Sequence, residues 1–299
     1  MTALTAAAAS DLFRREPDRW IPVGDARPDG THASEVAYRK VGSGPDVLFV
    51  HGWPASAATW RGLLPHLAPH VTCHLIDLPG AGHSRFGEGS DLSITGHAAA
   101  VRQVVDELGL TDVAVVGHDS GGMFARFALA GDERVRAWGL VDTEQPPKPH
   151  WRFSSFLKIK YVPNFEKLLA WAVMRPRLRA NEFVLGACFH DRSLLGGEFE
   201  EFFLRPIAEQ PERQWAAGEF ARNFDMALFR DLADLHSKIT VPVQLVWGEK
   251  DPFFPLQWTK DMMNGFGGPV DLHVVDGGRL FHHEEFPDEV AAALLPALS

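Results

Sequence analysis

Cysteine is nearly missing from this chain: 299 residues hold two, Cys73 inside the run VTCHLID and Cys188 far from it. Two distant thiols make no disulfide framework, so a core must hold the fold, the cytoplasm is the expected compartment, and both read as buried small hydrophobes. Tyrosine is as scarce, with only Tyr38 and Tyr161. No apolar run approaches the roughly 20 residues needed to cross a bilayer. The opening MTALTAAAAS (Met1 to Ser10) lacks a basic start, so no secretory leader is expected. Basic residues are outnumbered, 29 Lys and Arg against 39 Asp and Glu, for a formal charge of -10. That excess repels phosphate backbones and anionic lipid, so neither nucleic acid nor a membrane surface is an expected partner. No His and Cys cluster has metal-ligand spacing and no phosphate loop occurs, so no metal and no organic cofactor is implied. The partner left is a small molecule, and the oligomeric state is not legible.

What is present is enough apolar material, 45% of residues, for a full core. Short apolar runs alternate with helical patterns from about residue 36 to 143: VLFV (Val47 to Val50), VTCHLI (Val71 to Ile76), VAVV (Val113 to Val116) and WGLV (Trp138 to Val141). WRGLLPHL and HAAAVRQVVDEL between them repeat apolar residues at helical spacing. The alternation predicts an α/β fold, a mostly parallel sheet with helices on both faces. It breaks at TEQPPKP (Thr143 to Pro149) and resumes at VPVQLVW (Val241 to Trp247) and VDLHVV (Val270 to Val275). Residues 151–229 between them hold 15 of the chain's 32 aromatics, which predicts a helical lid with an apolar underside. The expected division is a first core part, 1–143, a lid, 144–236, and a second core part, 237–299.

The stretch VVGHDSGG (Val115 to Gly122) follows a strand and precedes MFARFALA, which can form a helix. A nucleophile at the tip of a sharp strand-to-helix turn needs small neighbours two before and two after it, because strand and helix approach closely there. Asp119 at the tip has Gly117 and Gly121 in those places, whereas Ser120 would have His118 in one of them. The pattern therefore selects Asp119. A carboxylate is ionised without help from a base and can attack a saturated carbon to give an alkyl ester. On an ordinary ester the same attack would give a high-energy anhydride.

HGWP (His51 to Pro54), DLPGAGHS (Asp77 to Ser84), GHDSGG (Gly117 to Gly122) and WGEKDPFFP (Trp247 to Pro255), in this order, resemble the α/β-hydrolase superfamily in its branch of epoxide hydrolases and haloalkane or fluoroacetate dehalogenases. The resemblance implies the α/β-hydrolase fold with an inserted cap, and an oxyanion hole made by the backbone N–H groups of Trp53 and Ser120. His51 reads as a turn-stabilising residue. The second step, hydrolysis of the ester, needs a histidine to activate water and a carboxylate to orient it. Asp251 fits the usual acid position, and Asp142, at the end of WGLV, fits the alternative one.

The histidine is where the sequence departs from its relatives, which typically place it seven residues before a proline. Counting back seven from Pro287 lands on Leu280, and counting forward from Gly278 lands on Arg279. His283 is the first candidate for the base, His282 the second, and a site without a histidine base the third. The substrate expected is apolar or aromatic, an epoxide first and a haloalkane next. Related epoxide hydrolases use lid tyrosines to protonate the epoxide oxygen, which singles out Tyr161, with Trp151 beside it as a substrate contact. Halide release needs N–H donors, which Trp151 or Trp171 can supply. A serine-type esterase using Ser120 and a non-catalytic binding protein on the same fold are the remaining alternatives.

Overall fold

The computed structural model describes residues 4–299, so the first three residues of the Met1 to Ser10 reading lie outside it. Its sheet has eight strands: β1 (Arg19–Ala26), β2 (His32–Gly42), β3 (Asp46–Val50), β4 (Thr72–Asp77), β5 (Val113–His118), β6 (Val135–Val141), β7 (Val243–Gly248) and β8 (Val270–Val275). Their order across the sheet is β1-β2-β4-β3-β5-β6-β7-β8. The pairs β1–β2 and β2–β4 are antiparallel, and all others are parallel. Every residue of β4 and β5 is buried, as apolar runs covered on both faces require.

β1 and β2 extend the sheet beyond the six strands expected. β1 shows only an interrupted apolar pattern, with Pro22 inside it, as an edge strand tolerates. The expected helix at WRGLLPHL is two short turns, Ala57–Trp60 and Leu64–Leu67, while α1 (Ile94–Leu108) is a full helix. Ser93 caps α1 by accepting from the N–H of Gly96, and Gly109 ends it in the left-handed conformation.

α2 (Ser120–Leu129) follows β5 and packs against α1. Between β6 and β7 the chain is helical. Its main elements are α3 (Trp151–Leu157), α4 (Phe165–Val173), α5 (Pro211–Asn223) and α6 (Leu232–Lys238). α6 packs back on α2, so the last helix of this insertion docks on the core. After β8 come a short turn of helix, α7 (His282–Glu285), and α8 (Pro287–Leu298), which packs on β6 and β7.

One buried hydrogen-bond network fastens α2 to the strand ends beside it. Arg126 is fully buried and donates to the carbonyls of Gly122 and Glu144, to Thr143 Oγ1 and to His236 Nε2 of α6. Burial pushes the Glu144 carboxyl up to about 7, and the nearby guanidinium opposes that rise. Removing the guanidinium leaves buried acceptors without their donor, so Arg126→Met is expected to cost at least about 1–3 kcal/mol in chemical denaturation. A loss within the range of an exposed substitution would show that the network contributes nothing.

Candidate active site

Asp119 sits at the β5–α2 junction with φ 50° and ψ -138°, a strained backbone for a residue with a Cβ. A Cβ at Gly117 would lie 2.5 Å from the Gly122 Cα, and one at Gly121 would lie 2.3 Å from the carbonyl oxygens of Val50 and His51. The two glycines are thus a steric requirement of the bend, and Asp119, not Ser120, is its tip. Asp119 Oδ2 accepts from the Trp53 N–H at 3.0 Å. Burial, with the Glu144 carboxyl next in size, holds Asp119 well above the usual carboxylate range, while the N–H groups of Ser120 and Trp53 pull the other way. His51 Nε2 accepts from the N–H of Leu78, a turn-bracing contact.

Asp119 faces a cavity of about 490 Å³, counting its open mouth. Its roof is the inner face of the insertion, Phe153, Phe156, Leu157, Leu185, Phe220 and Phe224, and Leu280, Phe281, Cys188 and Phe253 complete the wall. Trp53 and Ser120, with Pro54 and Phe220, also line a second cavity of about 590 Å³, again with its mouth. The Trp53 indole is stacked on Phe220 with ring centres 6.1 Å apart and tilted on Phe156 at 5.6 Å.

Several expected site residues lie elsewhere. His283 is fully buried beneath the site, with Nε2 2.8 Å from Thr59 Oγ1 and its ring 4.2 Å from that of His118. It does not line the Asp119 cavity. The helical turn α7 begins at His282, one residue before it, and turns its ring toward Thr59, where burial and the His118 ring keep the imidazole neutral. Leu280, at the family's histidine position, does line the cavity. Tyr161 is 75% exposed and Trp151 65% exposed, and neither lines the cavity, because both lie on the outer face of the helices whose inner face carries Phe153, Phe156 and Leu157. Trp171 is likewise exposed. Tyr38 is bonded to His74 within the core.

Both candidate acids are present and close together. Asp142 Oδ1 accepts from the Gly248 N–H, and Asp251 Oδ1 accepts from the N–H groups of Phe253 and Phe254. Their Oδ2 atoms find no donor among the described residues. The two carboxyls interact directly, and both are held well above the ordinary range, Asp142 by burial and Asp251 by burial and then by Asp142. His282 Nε2 lies 3.2 Å from Asp142 Oδ2 without hydrogen-bond geometry, and burial lowers that imidazole to about 4. His282 is therefore a neutral neighbour of the acid pair and, like His283, is not part of the cavity wall.

Sequence reasoning missed Arg126 and Glu144. The available signal was one arginine in the otherwise apolar MFARFALA, a charge that burial must pair.

The arrangement presents a carboxylate, steadied by main-chain N–H, to an apolar chamber. Residues 45–286 match the family model of the alpha/beta hydrolase fold. A pimeloyl-[acyl-carrier protein] methyl ester esterase of Aeromonas salmonicida is 28% identical over 229 residues, covering 74% of this chain and 82% of that protein. Haloalkane dehalogenase 2 of Mycobacterium bovis is 25% identical over 290 residues, 93% of this chain and 96% of its own length. Among solved structures, the epoxide hydrolase CorEH superposes with a TM-score of 0.73 at 22% identity, over 88% of this chain and 94% of that one. The last two are of the kinds the four motifs resemble, and with the family match over most of its length the chain belongs to the α/β-hydrolase fold family.

Proposed function

We propose that this hydrolase-fold protein uses Asp119 to displace halide from an apolar haloalkane, leaving the alkyl group on Asp119 as an ester. One observation carries the reading: among the described residues Asp119 is the only carboxyl group lining a mostly apolar and aromatic cavity, and it occupies the strained elbow. The carboxylate oxygen forms a bond to carbon as the halide departs with the electron pair of the broken bond. An epoxide instead leaves as an alkoxide and needs a proton, for which the lining offers the Ser120 hydroxyl, the Cys188 thiol and the Trp53 indole but no tyrosine. Trp151 and Trp171, the N–H donors expected for a halide, are absent from the lining as well. A halide leaves as a stable anion whereas an alkoxide does not, so a halide is favoured and an epoxide is second. No histidine lines the cavity, so the ester is expected to persist.

Intact-mass spectrometry after incubation with apolar haloalkanes and aryl epoxides tests this. A mass gain of one alkyl group from the haloalkanes supports the proposal. A gain from epoxides alone would reverse the order, and neither adduct nor turnover with any of them would overturn it. The reacting form is the ionised carboxylate, and burial raises the pH at which it forms. Ester formation should therefore accelerate as pH rises, with its half-maximal point above the roughly 3.9 of an ordinary aspartate. A rate flat from that value upward would show that Asp119 does not attack.

The esterase relative favours a second reading, attack by Ser120 on an acyl ester. Ser120 Oγ is 3.5 Å from Asp119 Oδ2, and no imidazole lines its cavity wall beside Asp119. Hydrolysis of p-nitrophenyl esters that survives Asp119→Asn and is lost in Ser120→Ala would replace the first reading with this one.

A further inference from the structure

The excess of acid in the chain hides a segregation of charge. Residues 148–177 hold seven basic side chains and one acid, a net of +6, which leaves the rest of the chain at -16. The acid, Glu166, is paired with Arg222. The same segment concentrates exposed apolar bulk: of the large hydrophobic side chains exposed among the described residues, Trp151, Tyr161, Val162, Leu168 and Trp171 fall within it, and Phe183 follows closely.

The exposed positions form stripes. Along α4 and its flanks they are Asn164, Lys167, Leu168, Trp171 and Arg175, spaced so that all lie on one helical face, while Phe165, Leu169 and Val173 are buried on the other. The Arg175 guanidinium lies 3.9 Å from the Trp171 ring centre, and Lys160 Nζ 5.7 Å from that of Tyr161. Apolar and amphipathic rings interleaved with long basic stems suit the boundary between lipid headgroups and acyl chains, with the cations reaching back to phosphate. No helix among the described residues is long and apolar enough to cross a membrane, so such contact would lie in the plane of the surface.

We propose that this outer face of the insertion docks on an anionic lipid bilayer. Charge complementarity selects the partner: a basic, aromatic segment on a strongly acidic protein favours presenting that face toward a negative surface. The consequence for the site is spatial. Phe153, Phe156 and Leu157 of α3 roof the Asp119 cavity, and Phe165 and Leu169 on the buried face of α4 line a neighbouring cavity with Phe156 and Leu157, so docking would set the elements above an apolar chamber against a reservoir of apolar molecules. The docking itself does not depend on the chemistry proposed for Asp119.

Flotation of the full chain with vesicles tests the surface, using phosphatidylcholine alone or phosphatidylcholine doped with phosphatidylglycerol, at low and at raised salt. Binding to the doped vesicles that weakens with salt is the expected result. Lys167→Glu with Arg175→Glu should lower the bound fraction at least about tenfold, because each basic residue near such a surface contributes roughly fivefold to partitioning. Leu168→Ser with Trp171→Ser should lower it as well, and neither pair should shift the unfolding midpoint, since all four side chains are exposed. Asp119→Asn should bind vesicles as the parent does, which separates this proposal from the catalytic one. No binding to anionic vesicles overturns it, as does binding untouched by both pairs. Self-association abolished by those pairs, without vesicle binding, would overturn it in favour of a second copy of the chain.

Discussion

Leu280→His is expected to convert the single capture proposed for Asp119 into turnover. A general base within reach of the attacking water contributes about 10²–10⁴-fold. Leu280 lines the Asp119 cavity, and among the described residues no donor meets the Oδ2 atoms of Asp142 and Asp251, the two carboxyls expected to orient such a base. In the parent, the alkyl adduct should persist for the length of a mass measurement. In the variant it should be transient, with halide released in excess over protein. An adduct equally stable in a variant that unfolds at the parent's midpoint would sink the idea that position 280 alone blocks the second step.

Asp119→Asn should abolish the adduct altogether. The amide keeps the size of the carboxylate and can still accept from the Trp53 N–H, but it carries no charge to push onto carbon. It also removes an acid that burial and Glu144 disfavour in its ionised form, so the variant is expected to be at least as stable as the parent above neutral pH. The sign follows from the raised value: the folded protein holds this proton more tightly than the unfolded chain, so Asp119 loses stability as pH rises through its folded titration. Adduct formation that survives in the variant would move the nucleophile to another side chain.

The elbow was legible because it is a steric pattern. Only small residues fit at 117 and 121, and that requirement is visible in letters alone. The buried parallel strands were legible for a similar reason, since a run such as VAVV has no polar face to offer solvent. The faces of the insertion were not read. Trp151 and Tyr161 are aromatic like Phe153 and Phe156, and residue type does not say which side of a helix is inward. Spacing would have helped, since 153, 156 and 157 form one stripe and 151, 158 and 161 another. His283 was misplaced because its direction depends on where one short helical turn begins, a matter of a single residue. The acid pair could be read only as alternatives, because its closeness depends on how the ends of β6 and β7 meet.

Trp53 carries two separable duties. Its main-chain N–H donates to the Asp119 carboxyl, a service any residue with an N–H can render, whereas its ring packs on Phe156 and Phe220 where the two chambers adjoin. Exchanging that side chain for a smaller one should therefore enlarge the space beside the elbow while leaving the polar contact intact.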